Sequence, residues 1–265
     1  MNDQMNMNKI LYTFAVLATL TSCATSWRVD GSTSLSALDG NKLYLRAVKG
    51  GEVKNIDSCD VVHGEFHFAG LLDTVRMANL FMDDESIMPV VLEEGDITIK
   101  IDNASQSVGG TPLNDSLYHF IDKHNQLTNR MEELSHRQSQ MLLDGIDEAV
   151  INHQLSVEAA KIAQEEDSLV TNFIVENFDN VLGPGVFMMI TSQYRFPVLT
   201  PQIEDIMSKA TKLFKNDPYV REYYQAAQEN EQRMNGLSES AESVAVPVDS
   251  VAPQTPAPLV NMPKP

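Results

Sequence analysis

The sequence predicts an α+β fold. An N-terminal antiparallel β-sheet domain, sandwich-like or a partial barrel, is expected to lead into a helical domain and a disordered Pro-rich tail. Three observations predict this. Up to residue 108, short runs alternate apolar and polar residues between turn formers. From residue 109 to 235, apolar residues recur at helical spacing. From residue 236 to 265 the chain carries six of its twelve prolines and no aromatic residue, so it cannot bury a core.

The strands are read in order. Trp27-Arg28-Val29-Asp30 opens the β domain, which spans residues 26–108. Asp39-Gly40-Asn41 is a turn before Leu43 to Val48, and Gly50-Gly51 turns again before Val53 to Val62. His63-Gly64 reads as a tight turn, because glycine tolerates positive φ. Glu65-Phe66-His67-Phe68 alternates, and Val75 to Met82 ends at the acidic loop Asp83-Asp84-Glu85. Pro89 to Leu92 and the clean alternation Ile97-Thr98-Ile99-Lys100-Ile101 complete the set.

Gly109-Gly110-Thr111-Pro112 marks the change to the helical domain, residues 109–235. Thr111 suits an N-cap and Pro112 the first helical position. Leu113, Leu117, Phe120, Leu127 and Leu134 follow at helical spacing. A second helix covers Asp147 to Phe178. Gly183-Pro184-Gly185 is read as a breaker before a short buried helix, Phe187 to Ile190. Thr200-Pro201 and Asp217-Pro218 each open a further helix.

Ile10 to Leu20 is nearly apolar and follows Lys9. A spanning helix needs about 20 such residues, so this run has the length of a signal-peptide core instead. Met5 and Met7 offer later starts, and a start at Met7 leaves a cleaner signal. The run ends Leu20-Thr21-Ser22-Cys23, which resembles the lipobox of bacterial lipoproteins. Residues 1–22 are then a signal peptide, cleaved between Ser22 and Cys23. Residues 23–25 are the lipidated N-terminus and a short tether. Each buried methylene stabilises such an anchor by about 0.8 kcal/mol, so three acyl chains release slowly. No acidic run follows Cys23, which points to the periplasmic face of the outer membrane.

Lys and Arg number 19 against 37 Asp and Glu, a net charge of −18. That balance argues against nucleic acid and against electrostatic docking on anionic lipid. With Cys23 acylated, Cys59 is the only thiol left, and dithiol chemistry within the chain is excluded. Asp57 and Asp60 flank Cys59 and disfavour its thiolate. It reads first as a small strand residue and second as a weak redox candidate.

The remaining chemistry-bearing residues form no catalytic constellation. His63, Glu65 and His67 share a strand face, but His63 and His67 would lie about 13 Å apart. Metal–nitrogen bonds of about 2 Å cannot span that. His119 and His124 sit about 140° apart around a helix, one on the surface and one packed. Glu132-Glu133, Glu165-Glu166-Asp167 and Asp83-Asp84-Glu85 read as solvated faces and loops. Gly109-Gly110 lacks the ending of a phosphate loop and reads as a sharp turn. Trp27, Tyr44, Phe66 and Phe68 read as core rather than as a sugar-stacking platform. No metal and no cofactor is expected.

Several stretches resemble a family. They are Asp39-Gly40 with Leu43-Tyr44-Leu45, Ile56-Asp57-Ser58 with Gly64-Glu65-Phe66, Glu94-Gly95 with Ile97-Thr98-Ile99, and Gly110-Thr111-Pro112-Leu113-Asn114. Together they resemble a Bacteroidetes domain of unknown function. That domain precedes a thioredoxin-fold thiol-disulfide oxidoreductase, peroxiredoxin-like or of TlpA type, in envelope lipoproteins. In the family the thioredoxin domain with its Cys-x-x-Cys would begin near residue 236, where the Pro-rich tail stands here. The resemblance therefore implies fold and compartment and carries over no catalytic residue.

The expected function is that of a non-enzymatic cell-envelope lipoprotein. It would be held to membrane lipid through acylated Cys23 and would serve as a binding or accessory module for an envelope protein. One alternative is a small-ligand binder using a cleft between sheet and helices. Another is a redox accessory, in which Cys59 forms a mixed disulfide with a separate thioredoxin-fold partner.

Overall fold

The computed structural model describes residues 25–49 and 52–236. The expected signal peptide, the Ser22–Cys23 cleavage site and the tail beyond Gly236 lie outside those residues. Eight strands come first among the described residues: β1 (Ser26–Thr33), β2 (Lys42–Lys49), β3 (Glu52–Asp60), β4 (Glu65–Leu71), β5 (Arg76–Met82), β6 (Glu85–Leu92), β7 (Gly95–Ile101) and β8 (Gln106–Gly109). Six helices follow: α1 (Pro112–Leu143), α2 (Glu148–Glu176), α3 (Leu182–Thr191), α4 (Pro201–Lys209), α5 (Lys212–Asn216) and α6 (Pro218–Met234).

The strands form two four-stranded sheets, ordered β4-β1-β7-β8 and β3-β2-β5-β6. Alternation puts Trp27 and Val29 of β1, Phe66 and Phe68 of β4, and Ile97, Ile99 and Ile101 of β7 on one inner face. Leu43, Leu45, Leu80 and Val90 come from the second sheet and close the same core. Two glycines make room for its rings. Gly31 lies opposite Phe66 and Gly70 opposite Trp27. A Cβ on Gly31 would stand 2.0 Å from the Phe66 ring, and one on Gly70 would stand 2.5 Å from the Trp27 ring.

The sequence predicts antiparallel pairing, and every pair obeys it except β1 with β7, which run parallel. A hairpin forces antiparallel pairing, but five strands, β2 to β6, separate β1 from β7 along the chain, so no hairpin constrains their direction. His63-Gly64 forms the expected tight turn, with φ of 54° and 75°. Both signs fit a two-residue hairpin whose twist matches the strands. The short strand β8 was not anticipated from the sequence.

The helices cover the outer face of the second sheet at its β5–β6 end. Val91 joins the helical core with Leu117, Phe120, Ile174, Phe187 and Phe214. Sheet residues there are buried on both faces, which explains the unbroken apolar run Pro89 to Leu92. Gly183-Pro184-Gly185 does not break the chain, as the sequence suggested, but lies within the first turns of α3. Proline is tolerated in a first turn, where its missing N–H has no helical partner. Gly185 lets that helix press on the sheet, since a Cβ there would lie 2.8 Å from Met77. Thr200 and Asp217 cap α4 and α6 as expected, through Ile203 N–H and through Tyr219 and Val220 N–H. The expected single helix between those two caps is split, because the chain turns extended at Ala210 and Thr211 caps α5.

Two long helices, α1 and α2, form an antiparallel arm. Near its root, Leu117, Phe120, Val170 and Ile174 belong to the main helical core. Further out, Leu127, Leu134, Ile151, Leu155 and Ile162 form a separate, thinner core. Arg130 pairs with Glu165 at 2.6 Å and Arg137 with Glu158 at 2.8 Å across the arm. These pairs are solvent-facing and set register more than they stabilise.

Candidate functional site

The start of α1 is a buried, closely hydrogen-bonded polar site. Thr111 occupies the N-cap position, as expected, but its side chain does not cap. Glu93 does so instead: its Oε1 accepts the N–H groups of Leu113 at 2.8 Å and Asn114 at 3.0 Å. A carboxylate there satisfies orphan amides and meets the positive end of the helix dipole. The fully buried Asn114 accepts the Val91 N–H and donates to the Val91 carbonyl, both at 2.8 Å. It mimics a neighbouring strand along the β6 edge. Asp115 takes the Gly110 N–H at 3.0 Å. The amides that could have cradled an anion are therefore filled by the chain's own carboxylates, and Gly110 serves its turn at φ 94°.

Cys59 lies on β3 opposite Leu43, half-buried against the sandwich core. Burial pushes its thiol up to about 11, and the charges of Asp57 and Asp60 push the same way. A bond from the His67 backbone and the Lys42 charge lower it without offsetting the burial. At neutral pH the thiolate is about one part in ten thousand.

The histidines do not gather. His63 sits in the turn, and His67 Nδ1 lies 2.8 Å from Asp30 on the neighbouring strand. His119 is exposed, whereas His124 packs beside Phe120 and reaches Glu166 at 3.1 Å. Among the described residues no group of three or more His, Cys, Asp or Glu is placed to hold a metal ion. Glu132 and Glu133 are exposed on the arm. The Arg130 guanidinium holds the Glu165 carboxyl below its ordinary range. Asp84 reaches Arg46 at 3.4 Å.

Trp27, Phe66 and Phe68 are core residues as expected, but Tyr44 is not. It lies on the outer face of the second sheet, opposite Phe81, with the Arg46 guanidinium 5.2 Å from its ring centre and 4.7 Å from that of Phe81. Two shallow depressions, of about 270 and 260 Å³, both lie in the helical half. One is lined by Met207, Lys215 and Tyr224 among others, and the other by Lys123, Leu127 and Arg130 among others.

The feature the sequence reading missed is the tip of the arm. Leu143 is 87% exposed, Val150 55%, Leu142 49% and Ile146 40%. These four side chains surround the turn between α1 and α2, at the end farthest from the sandwich. Residues 138–160 carry four acids, Asp144, Asp147, Glu148 and Glu158, and no lysine or arginine. The signal was present as an apolar triplet, Met141-Leu142-Leu143, placed at a turn rather than inside a helix.

Residues 27–117 match the family model described as a domain of unknown function (DUF4369). The match runs from Trp27 in β1 to Leu117 in α1, so it takes in both sheets and the Glu93–Asn114 junction. The rest of the helical half lies outside it. No curated protein matches the chain. Among the described residues no helix is long and apolar enough to cross a membrane.

Proposed function

We propose that this chain is a lipid-anchored cell-envelope protein that works as a non-enzymatic binding or accessory module, and that the tip of its helical arm meets a protein partner. The observation that carries this reading is the arm itself. It projects four exposed apolar side chains around Leu143 in a stretch without a cation. Exposed apolar clusters of this kind mark interaction sites. The surrounding acids select the occupant: a protein with an apolar pocket and a basic rim. An anionic membrane surface and a second copy of this acidic chain would both repel the tip. Anchoring is supported by Leu20-Thr21-Ser22-Cys23 behind its apolar run.

The test is a photo-crosslinking residue at Leu143 in the native envelope, with Glu133 on the mid-arm as control. One discrete protein adduct is expected from Leu143, weakening as salt screens the charges, and none from Glu133. Equal adducts from both positions, an adduct to lipid, or no adduct at Leu143 would overturn the assignment of the tip.

Redox work through Cys59 is less well supported. A mixed disulfide needs the thiolate, and burial holds this thiol protonated.

A further inference from the structure

The sandwich begins close to the expected anchor. Thr25 stands two residues after Cys23. At no more than about 3.6 Å per residue, that is about 7 Å of chain. The Thr25 carbonyl accepts the Leu72 N–H at 2.8 Å, and Ser26 pairs with Leu71. The loop between β4 and β5, Leu72 to Val75, is thereby fastened to the point where the chain enters the sandwich. The start of β7 lies at the same end, with Gly95 opposite Trp27. The β2–β3 pair reaches this end too, where Val48 pairs with Val53 beyond the Ala47–Ala78 rung.

The two ends of the sandwich differ in chemistry. At the entry end, Leu71 is 75% exposed, Val53 67%, Val48 52% and Val75 38%. Acids there are paired: Glu52 with Lys54 at 3.4 Å, Asp96 with Arg28 at 3.1 Å, and Asp73 with Arg76. Glu93 caps α1, and Glu94 is exposed. The opposite end carries Val62 together with Asp60, Asp83, Asp84, Glu85 and Asp102, with Lys42 beside Asp60 and Arg46 beside Asp84. Helix α1 starts at the entry end and leaves it. Asn114 accepts the Val91 N–H, and one turn later the Tyr118 hydroxyl donates to the Pro89 carbonyl at 2.9 Å. Strand β6 runs towards Leu92 at the entry end, so α1 heads the other way, towards the acidic end.

We propose that the entry end of the sandwich rests in the headgroup layer of the bilayer that holds Cys23, with Leu71 and Val75 inserted. The inference rests on the lipid anchor at Cys23. The occupant follows from chain length. A headgroup layer is about 5–7 Å deep on each side of the hydrocarbon, and about 7 Å of chain cannot hold the loop clear of it. The contact is apolar, because a chain of net charge −18 has no electrostatic pull towards anionic lipid. Insertion takes the Leu71 and Val75 side chains out of water, which favours the contact. The acidic end and the arm tip then face away from the membrane.

The test reconstitutes the acylated full chain in phosphatidylcholine vesicles, with a photo-crosslinking residue at Leu71, Val75 or Val62. Intact mass verifies the acyl chains, and flotation verifies attachment to the vesicles. Phospholipid adducts are expected at Leu71 and Val75, and about tenfold fewer at Val62, an exposed valine at the opposite end. Equal adducts at all three positions of an acylated, floating chain, or none at Leu71, would overturn the membrane contact and leave the anchor standing. A chain that carries no acyl group and does not float would overturn both. Leu71→Asp separates insertion from proximity. It should cut the Val75 adduct severalfold, with flotation and circular dichroism unchanged. An undiminished Val75 adduct in the folded, floating variant would count against insertion.

Discussion

Asn114 and Cys59 are two residues whose roles come from burial. Asn114 holds both backbone groups of Val91 and leaves no polar atom of its own unpaired. Asn114→Ala strands a buried N–H and a buried carbonyl, so a loss of about 3 kcal/mol is expected from the urea midpoint. A loss below about 1 kcal/mol would mean that water replaces the amide. Cys59 is read by its reaction with iodoacetamide. With the thiol near 11, labelling of the native protein should be slow at pH 7 and rise about tenfold per pH unit towards pH 10. Its folded value is raised, so its contribution to stability is present below about pH 9 and lost as pH rises through about 11. Labelling as fast as that of a free thiol at pH 7 would revive the redox reading.

At the scale of elements, the sequence and structure agree where the signal is local. The strand alternation through Ile97, Ile99 and Ile101 and the caps at Thr200 and Asp217 were legible because each depends on a few neighbouring residues. Glu93 as the cap of α1 was not legible. It lies twenty residues from Leu113, and only the fold brings it there. Strand β8 has four residues, too few to show a period. Gly183 and Gly185 look like breakers in a sequence because their close contacts with Asn177 and Met77 are long-range or local to a packed turn. The arm tip was missed for another reason: exposure is a property of what is absent around a side chain. The arm also carries a dynamic expectation. Its outer core is thin, so amide exchange should quicken from the root at Leu117 to the tip at Leu143. Uniform protection along α1 would contradict an arm that stands free of the body.

For the whole molecule, the described residues form a sandwich with a helical layer on one sheet. The sheet–helix junction is closed by Val91, Leu117 and the Glu93–Asn114 bonds. The arm tip lies at the far end of α1, a helix of about 48 Å whose root is packed in the main helical core. A lipid tether ahead of β1 would confine the chain to one membrane and raise the local concentration of partners there. The lipid-anchored part of the reading stands on Cys23. The most direct measurement is fatty-acid labelling and envelope fractionation of the wild-type chain beside Cys23→Ala. The expected result is label and membrane retention in the wild type, with both lost in Cys23→Ala and the protein recovered in the soluble periplasmic fraction. Unchanged membrane retention of an unlabelled Cys23→Ala chain would contradict the account.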